Sequence, residues 1–410
     1  MHSIKKTLIA VAASMALSAS ALAGTLVINS DQADPAPKAA FAEVIKQFEA
    51  ANPDITVKLN TFDKEAYKTA LRNWLSTQPP DVVFWYAGNR MKQFVGKDLF
   101  EDVSDIWTDN DLNDKMSTAA PAMTIDEKQW GVPYTYYKWG VYYRKDIFKR
   151  LGIEIPKTYD EFLAASAKIK ADGIAPVTIG TKYLWTAAGW FDYLNMRTNG
   201  LDFHIDLMDG KIPYTDDRVK ATFANWSKMV EPGYFVENHA TYSWQEALPF
   251  LLKGEAAMYL LGNFITPQFG DQEENMGFFQ FPIINPEVGV GEDAPMDTVH
   301  IPAKAKNKED ARKFLAFLAT KDVQTSINAA INQIPPHKDA KAADNYFLNI
   351  GIDMLGKADG TAQFFDRDTT PGMAKEGMKG FQEFMVKPER LERILKSLEK
   401  TRMREFKVKK

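Results

Sequence analysis

The eighteen residues from Gly131 to Phe148 hold five tyrosines and a tryptophan. Read as one extended strand, they place Tyr134, Tyr136, Lys138 and Tyr142 on one side and Thr135, Tyr137, Trp139 and Tyr143 on the other. A plain core strand would use Val, Ile and Leu. Aromatic rings with a polar tip suit a place packed at one end and open to a polar ligand at the other. That chemistry is recognition by stacking and hydrogen bonding. Bond-making chemistry has no comparable signature: the sequence carries no Walker loop, H-E-x-x-H or G-x-S-x-G. Its five histidines are scattered, and it has no cysteine for thiol catalysis, disulfides or Cys-ligated metals. Asp109-Asn110-Asp111-Leu112-Asn113 hints at a calcium loop, but glycine at the sixth position and glutamate at the twelfth are missing, so it reads as an acidic turn. No metal and no cofactor are expected. A secreted glycoside hydrolase or lyase stays open as an alternative, because a glycosidase needs only two correctly separated carboxylates.

The elements that must position the aromatic stretch alternate between strand and helix. Thr25 to Asn29 is a strand, followed by a helix with Phe41, Val44, Ile45 and Phe48 inward, which Asn52-Pro53 stops. Ile55 to Asn60 is a second strand, and Tyr67, Leu71, Trp74 and Leu75 form the inward face of a second helix. Pro79-Pro80 leads into a third, buried-type strand, Asp81 to Trp85. This order predicts a parallel sheet with crossover helices. Beyond the aromatic stretch the alternation resumes. Thr158 with Glu161 and Ser243 with Glu246 are capping boxes. Ala256 to Leu261 and Gly277 to Phe281 read as strands. Asn307 caps a helix, and Thr370-Pro371 and Pro388 start two more. Two groups of such units with an aromatic segment between them predict an α/β protein of two lobes. In open α/β sheets ligands bind outside the carboxyl ends of strands, which singles out Ser30 to Asp34, Tyr86 to Arg90 and Gly262 to Thr266.

The chain has 410 residues, 45% hydrophobic and 25% charged, enough for two globular domains. At its start, Lys5 and Lys6, an apolar run from Leu8 to Leu17 and Ala21-Leu22-Ala23 make a signal peptide spanning residues 1–23. Without it, 48 basic side chains face 54 acidic ones, a net charge of −6. This balance argues against nucleic acid as a partner. Export to a Gram-negative periplasm is expected.

Several segments, in order, resemble a known family. Pro80 to Trp85 followed by a small-polar loop and Arg90 looks like the ligand-loop strand of the maltose-binding protein. Gly254-Glu255-Ala256-Ala257-Met258 ending in Gly262-Asn263-Phe264 resembles the segment that places a stacking residue at a strand end. Ile301-Pro302-Ala303 with Asn307 to Ala311 resembles the family's return crossover, and Tyr143-Arg144-Lys145-Asp146 its lobe-to-lobe crossing. Together they run from about Asn29 to Phe384, and the chain resembles the sugar-binding proteins of bacterial ABC importers, the family 1 extracellular solute-binding proteins. The resemblance implies a two-lobe periplasmic binding protein fold, with the ligand cleft between the lobes and three hinge crossings. The lobes would be 24–135 plus 294–336 and 136–293 plus 337–410. The implied protein is not an enzyme. It binds a mono- or oligosaccharide as a monomer and delivers it to the transmembrane subunits of an ABC permease. A polyol, a sugar acid or another small organic anion is the alternative ligand.

Sugars present apolar ring faces and a rim of hydroxyls, so a site needs aromatic platforms with convergent donors and acceptors. Placed by the resemblance and by position, the candidates are Asp31 and Gln32 after the first strand, and Tyr86, Asn89 and Arg90 after the third. The family's carboxylate in that third loop is replaced by Gly88-Asn89. Tyr137 matches a position that contacts sugar hydroxyls, with Trp139 on the same strand face. Trp185 is read as a loop platform, Trp244 as a residue beside the cap Ser243, and Asn263 with Phe264 as the stacking position. Asp297 is a hydroxyl acceptor, while His300 reads as structural. Phe365 stands as the last platform and Arg367 as a cleft cation.

Overall fold

The computed structural model describes residues 24–408; the signal peptide expected at 1–23 lies outside the described residues. Nine strands build the two main sheets: β1 (Gly24–Ser30), β2 (Ile55–Thr61), β3 (Val82–Tyr86), β4 (Val132–Tyr136), β5 (Trp139–Arg144), β6 (Ala175–Val177), β7 (Ala256–Gly262), β8 (Met276–Phe279) and β9 (Met296–His300). The first sheet has the order β2-β1-β3-β9-β4 and the second β8-β5-β7-β6. β1 pairs parallel to β2 and β3, as the strand–helix alternation predicts. β9 runs antiparallel to both neighbours, so the sheet is mixed rather than purely parallel.

Local chemistry sets the helix starts. Asp63 accepts hydrogen bonds from the Glu65 and Ala66 amides and opens the helix Lys64–Ser76. Both capping boxes form, Thr158 with Glu161 and Ser243 with Glu246. Thr370 caps the helix Pro371–Val386. Asn307 occupies the N-cap of Lys308–Leu318, but its side-chain amide donates to Asp310 Oδ2 at 2.8 Å and caps no backbone amide. Pro388 opens a single 3-10 turn, and the long helix begins at Leu391.

Each sheet has its own core. Around the first, Phe41, Phe84 and Tyr134 meet edge to face, with centroids 4.7–5.5 Å apart. Around the second, Trp190, Tyr193 and Phe281 pack with Phe162. Burying one such side chain contributes roughly 1.5–3 kcal/mol, so each sheet has its own driving force to fold.

The aromatic stretch is not one strand. β4 ends at Tyr136 in the first sheet and β5 begins at Trp139 in the second. The alternation expected across the whole stretch therefore breaks at Tyr137-Lys138. Tyr134 enters the first core and Tyr142 the second. The cause is local pairing: Tyr136 exchanges backbone hydrogen bonds with Ile334, and the Tyr137 amide donates to the Pro295 carbonyl. Two further passages run beside this one. The chain goes from β8 to β9, and later from the helix Lys321–Ile331 in the first core to the helix Tyr346–Lys357 on the second. The parallel pair of Gly291–Asp293 with Gly360–Ala362 joins the segments just before and after these passages.

Candidate functional site

A cleft opens between the two sheets beside the passages. One wall comes from the first sheet. Gln32, Asp34 and Pro37 follow β1, Lys64 and Lys68 lie on the helix after β2, and Tyr86 ends β3. Asp297 belongs to β9, whose reversed direction brings its amino end to the same edge. Lys64 and Lys68 are four residues apart and so share one helix face. The opposite wall is aromatic: Trp139, Trp185, Trp244, Phe264 and Phe364. Tyr137, Pro295 and Gln333 line the back from the three passages, and Asp366 and Arg367 come from the short turn Phe365–Asp368.

The aromatic rings brace one another. Trp139 stands edge-on to Trp185 at 6.0 Å and to Phe264 at 6.2 Å, and lies 4.7 Å from Phe364 at 30°. Trp244 meets Phe264 at 5.2 Å. Trp139, Trp244 and Phe364 are buried, whereas Trp185 and Phe264 stay partly exposed and are the rings presented to the cleft. The packing leaves no slack: a Cβ at Gly189 would lie 2.7 Å from the Trp139 ring, and one at Gly262 2.4 Å from Phe264.

The polar wall is wired by ion pairs. Arg367 donates to the Tyr137 phenolic oxygen and to the Met296 carbonyl, each at 2.8 Å. It lies 3.0 Å from Asp297 Oδ1 in a charge contact without hydrogen-bond alignment. Its guanidinium also sits 4.1 Å from the Tyr86 ring centre. Burial pushes the Asp297 carboxyl up from its ordinary range, against the pull of Arg367 and Lys64. Burial works against the Lys64 charge too, but Asp31, Asp297 and Asp34 outweigh it and hold the ammonium above its usual range. Asp366 moves down despite burial, because Arg90 and Lys68 favour its charged form.

Nine sequence candidates meet in the cleft: Gln32, Tyr86, Tyr137, Trp139, Trp185, Trp244, Phe264, Asp297 and Arg367. Trp185 gets there as the first residue of the helix Trp185–Asn199, not from a loop, because Leu184 turns the chain at φ 70° directly before it. Five candidates point elsewhere. Asp31 stands behind the wall, accepting from Gln32 at 2.7 Å and from the Tyr86 hydroxyl at 3.2 Å. Asn89 donates to the Asp368 carbonyl at 2.7 Å, and Arg90 pairs with Asp366. Asn263 accepts from the buried Lys138 at 2.8 Å and donates to the Asn332 carbonyl. Phe365 packs in the second core against Phe191 and Phe381, and the cleft ring is its neighbour Phe364. Sequence reading missed Lys64, Lys68, Gln333 and Phe364, and it singled out the loop ending at Asp34 without choosing Asp34, and Arg367 without its neighbour Asp366. The carboxyl-end rule, applied to β2 as well as to β1 and β3, would have found Lys64.

Among the described residues no group of three or more His, Asp or Glu side chains is arranged to hold a metal ion. A family model described as "Bacterial extracellular solute-binding protein" matches residues 32–325. An uncharacterised ABC transporter extracellular-binding protein of Pyrococcus horikoshii is 30% identical over 314 residues, 74% of this chain and 70% of that protein. The multiple sugar-binding protein of Streptococcus mutans is 26% identical, over 69% of this chain and 68% of its own. Among solved structures, the bacterial solute receptor AcbH, which has an exclusive preference for β-D-galactopyranose, superposes with a TM-score of 0.87. It is 30% identical and covers 94% of this chain and 100% of its own.

Proposed function

The chain belongs to the bacterial extracellular solute-binding proteins, the receptors and not the enzymes of ABC transport, and on that premise we propose that its solute is a carbohydrate held in the cleft between the two sheets. The observation that carries this reading is the two-sided cleft. One wall offers aromatic faces, with Trp185 and Phe264 presented, and the facing wall offers Gln32, Asp34, Lys64 and Asp297. A pyranose has that same division into apolar face and hydroxyl rim. The sugar preferences of AcbH and of the Streptococcus mutans protein support the same class.

The lobes in this reading are 24–135 plus 294–336 and 136–293 plus 337–410, which keeps the buried residues of each core within one body and leaves Tyr136, the last residue of β4, at the boundary. The protein is exported to the periplasm and works there as a monomer. Sugar binding draws the lobes together about the three passages, and the permease reads the closed form. The shift in population is limited by how much more tightly the closed form holds the sugar. A thermal-shift screen of the mature chain against sugars, polyols and sugar acids tests the reading. A ligand at 100 times its dissociation constant adds ~2.7 kcal/mol of stability. If no carbohydrate raises the melting temperature, the reading fails.

A further inference from the structure

Resting on that reading of the cleft, we propose that the sugar is electrically neutral and that Lys64 and Asp34 read its hydroxyls, one as donor and one as acceptor. Most charges at the cleft are already matched. Arg367 is 3.0 Å from Asp297, Arg90 holds Asp366, and Lys68 is 2.9 Å from Glu65. Asp31 is occupied by Gln32 and Tyr86.

Lys64 and Asp34 differ from these. Among the described residues Lys64 touches no carboxylate, although Asp31, Asp297 and Asp34 act on it at longer range. The Asp34 carboxylate makes one long contact, 3.5 Å from the amide of Gln245, the residue after Trp244. It stands at the N-cap of the helix Pro35–Ala51 without capping it, so its carboxylate is not engaged in holding the fold. Both side chains are part-exposed, and both line the same cleft opposite the aromatic rings.

The charge balance sets the class of sugar. The cations at or behind the cleft are Lys64, Lys68, Arg90 and Arg367. The carboxylates are Asp31, Asp34, Asp297 and Asp366, together with Glu65 on Lys68. Five negative groups against four positive ones make no trap for an anion. A uronate carboxylate set against Lys64 would share that one free ammonium with Asp31, Asp297 and Asp34, which already act on it, and would lose water against a net negative wall, which is costly. A neutral hydroxyl both donates and accepts, so it can take a charge-assisted hydrogen bond from Lys64 or give one to Asp34, about twice as strong as a neutral pair.

Isothermal titration of the mature chain tests this with neutral aldohexoses and short oligosaccharides, the corresponding uronic acids, and glucosamine. The tightest neutral sugar should bind on the order of 100-fold more tightly than its uronate, the full loss of about two charge-assisted hydrogen bonds. Lys64→Met and Asp34→Asn should each weaken that sugar by about tenfold or more, Asp34→Asn while leaving the ligand-free melting temperature close to the parent's, and Lys64→Arg should restore part of the loss. A uronate or glucosamine bound as tightly as the neutral sugar overturns the neutral class, and native affinity in both variants overturns the assigned roles; either result leaves the carbohydrate reading standing. Absence of binding by every carbohydrate overturns both.

Discussion

Arg367 donates to the phenolic oxygen of Tyr137 at 2.8 Å, fastening the Phe365–Asp368 turn to the residue at the first passage between the sheets. The same guanidinium reaches the Met296 carbonyl and Asp297 at the start of β9, where the second passage ends. One buried cation therefore links two of the three connections about which the lobes would move. Removing it strands the Asp297 carboxylate, whose side chain is 8% exposed. Arg367→Met should cost about 3 kcal/mol in urea unfolding, the range for breaking one side of a buried pair. Tyr137→Phe, which removes a hydroxyl and strands no charge, should cost about 1 kcal/mol. Equal costs for the two variants would contradict this ordering.

The braced aromatic wall separates presentation from support. Trp185 and Phe264 face the cleft, whereas Trp139 is 2% exposed and wedged among Trp185, Phe264 and Phe364. Trp185→Ala and Phe264→Ala should weaken sugar binding by about tenfold or more at small cost in stability, from lost stacking and apolar contact. Trp139→Ala should destabilise the ligand-free protein by about 3–5 kcal/mol, as a large core ring replaced by alanine does. Calorimetric titration together with thermal melts distinguishes the two outcomes. A Trp185→Ala variant that binds like the parent would remove that ring from the site.

Much of this was legible in the sequence where one local rule governs one element. The helices with Phe41, Val44 and Phe48 inward and the Thr158–Glu161 cap need only periodicity and neighbouring side chains. The cleft was legible where a strand end delivers the residue, as with Tyr86 and Phe264. It failed by one position at Phe364, because the chain passes that residue at φ 123° and the turn exchanges which ring faces inward. It failed at Arg90, which sits beside the cleft but is claimed by Asp366, 276 residues away. Pairings at that separation leave no local mark. The aromatic stretch misled for the same reason: Tyr136 pairs with Ile334, which ends the strand where no sequence signal does.

Arg90 and Asn89, after β3, hold Asp366 and the Asp368 carbonyl of a turn packed in the second core. These contacts join the two lobes, and Arg90 and Asn89 themselves stay outside the cleft lining. If this bridge belongs to the closed form, Arg90→Ala should weaken sugar binding by about three- to tenfold, since a contact made in one state only contributes its differential free energy. Small-angle scattering should show a larger ligand-free radius of gyration than the parent's. Unchanged affinity with reduced stability would make the pair a fixed brace at the hinge.

His300 ties stability to pH. Its ring stacks on Phe100 at 4.3 Å, with Nδ1 2.6 Å from the Trp130 carbonyl and Nε2 2.6 Å from the Thr298 hydroxyl. A carbonyl only accepts, so Nδ1 carries the proton and Nε2 accepts from Thr298; the ring is neutral. Burial pushes its pKa down to about 4, although the Trp130 carbonyl pulls the other way. An unfolded histidine titrates near 6.5. Above that value both states are neutral and the group contributes nothing. As pH falls through it, the unfolded chain takes up a proton that the native chain refuses, so stability drops until the native pKa is reached. By pH 5 the loss from this residue is about 2 kcal/mol, since each unit of difference is worth about 1.4 kcal/mol. His204, buried and pushed down to about 3, adds a loss of the same sign. His300→Gln should therefore lose about 2 kcal/mol less than the parent between neutral pH and pH 5, each measured by urea unfolding against its own neutral-pH value. Parallel pH profiles for variant and parent would show that His300 is not the group responsible.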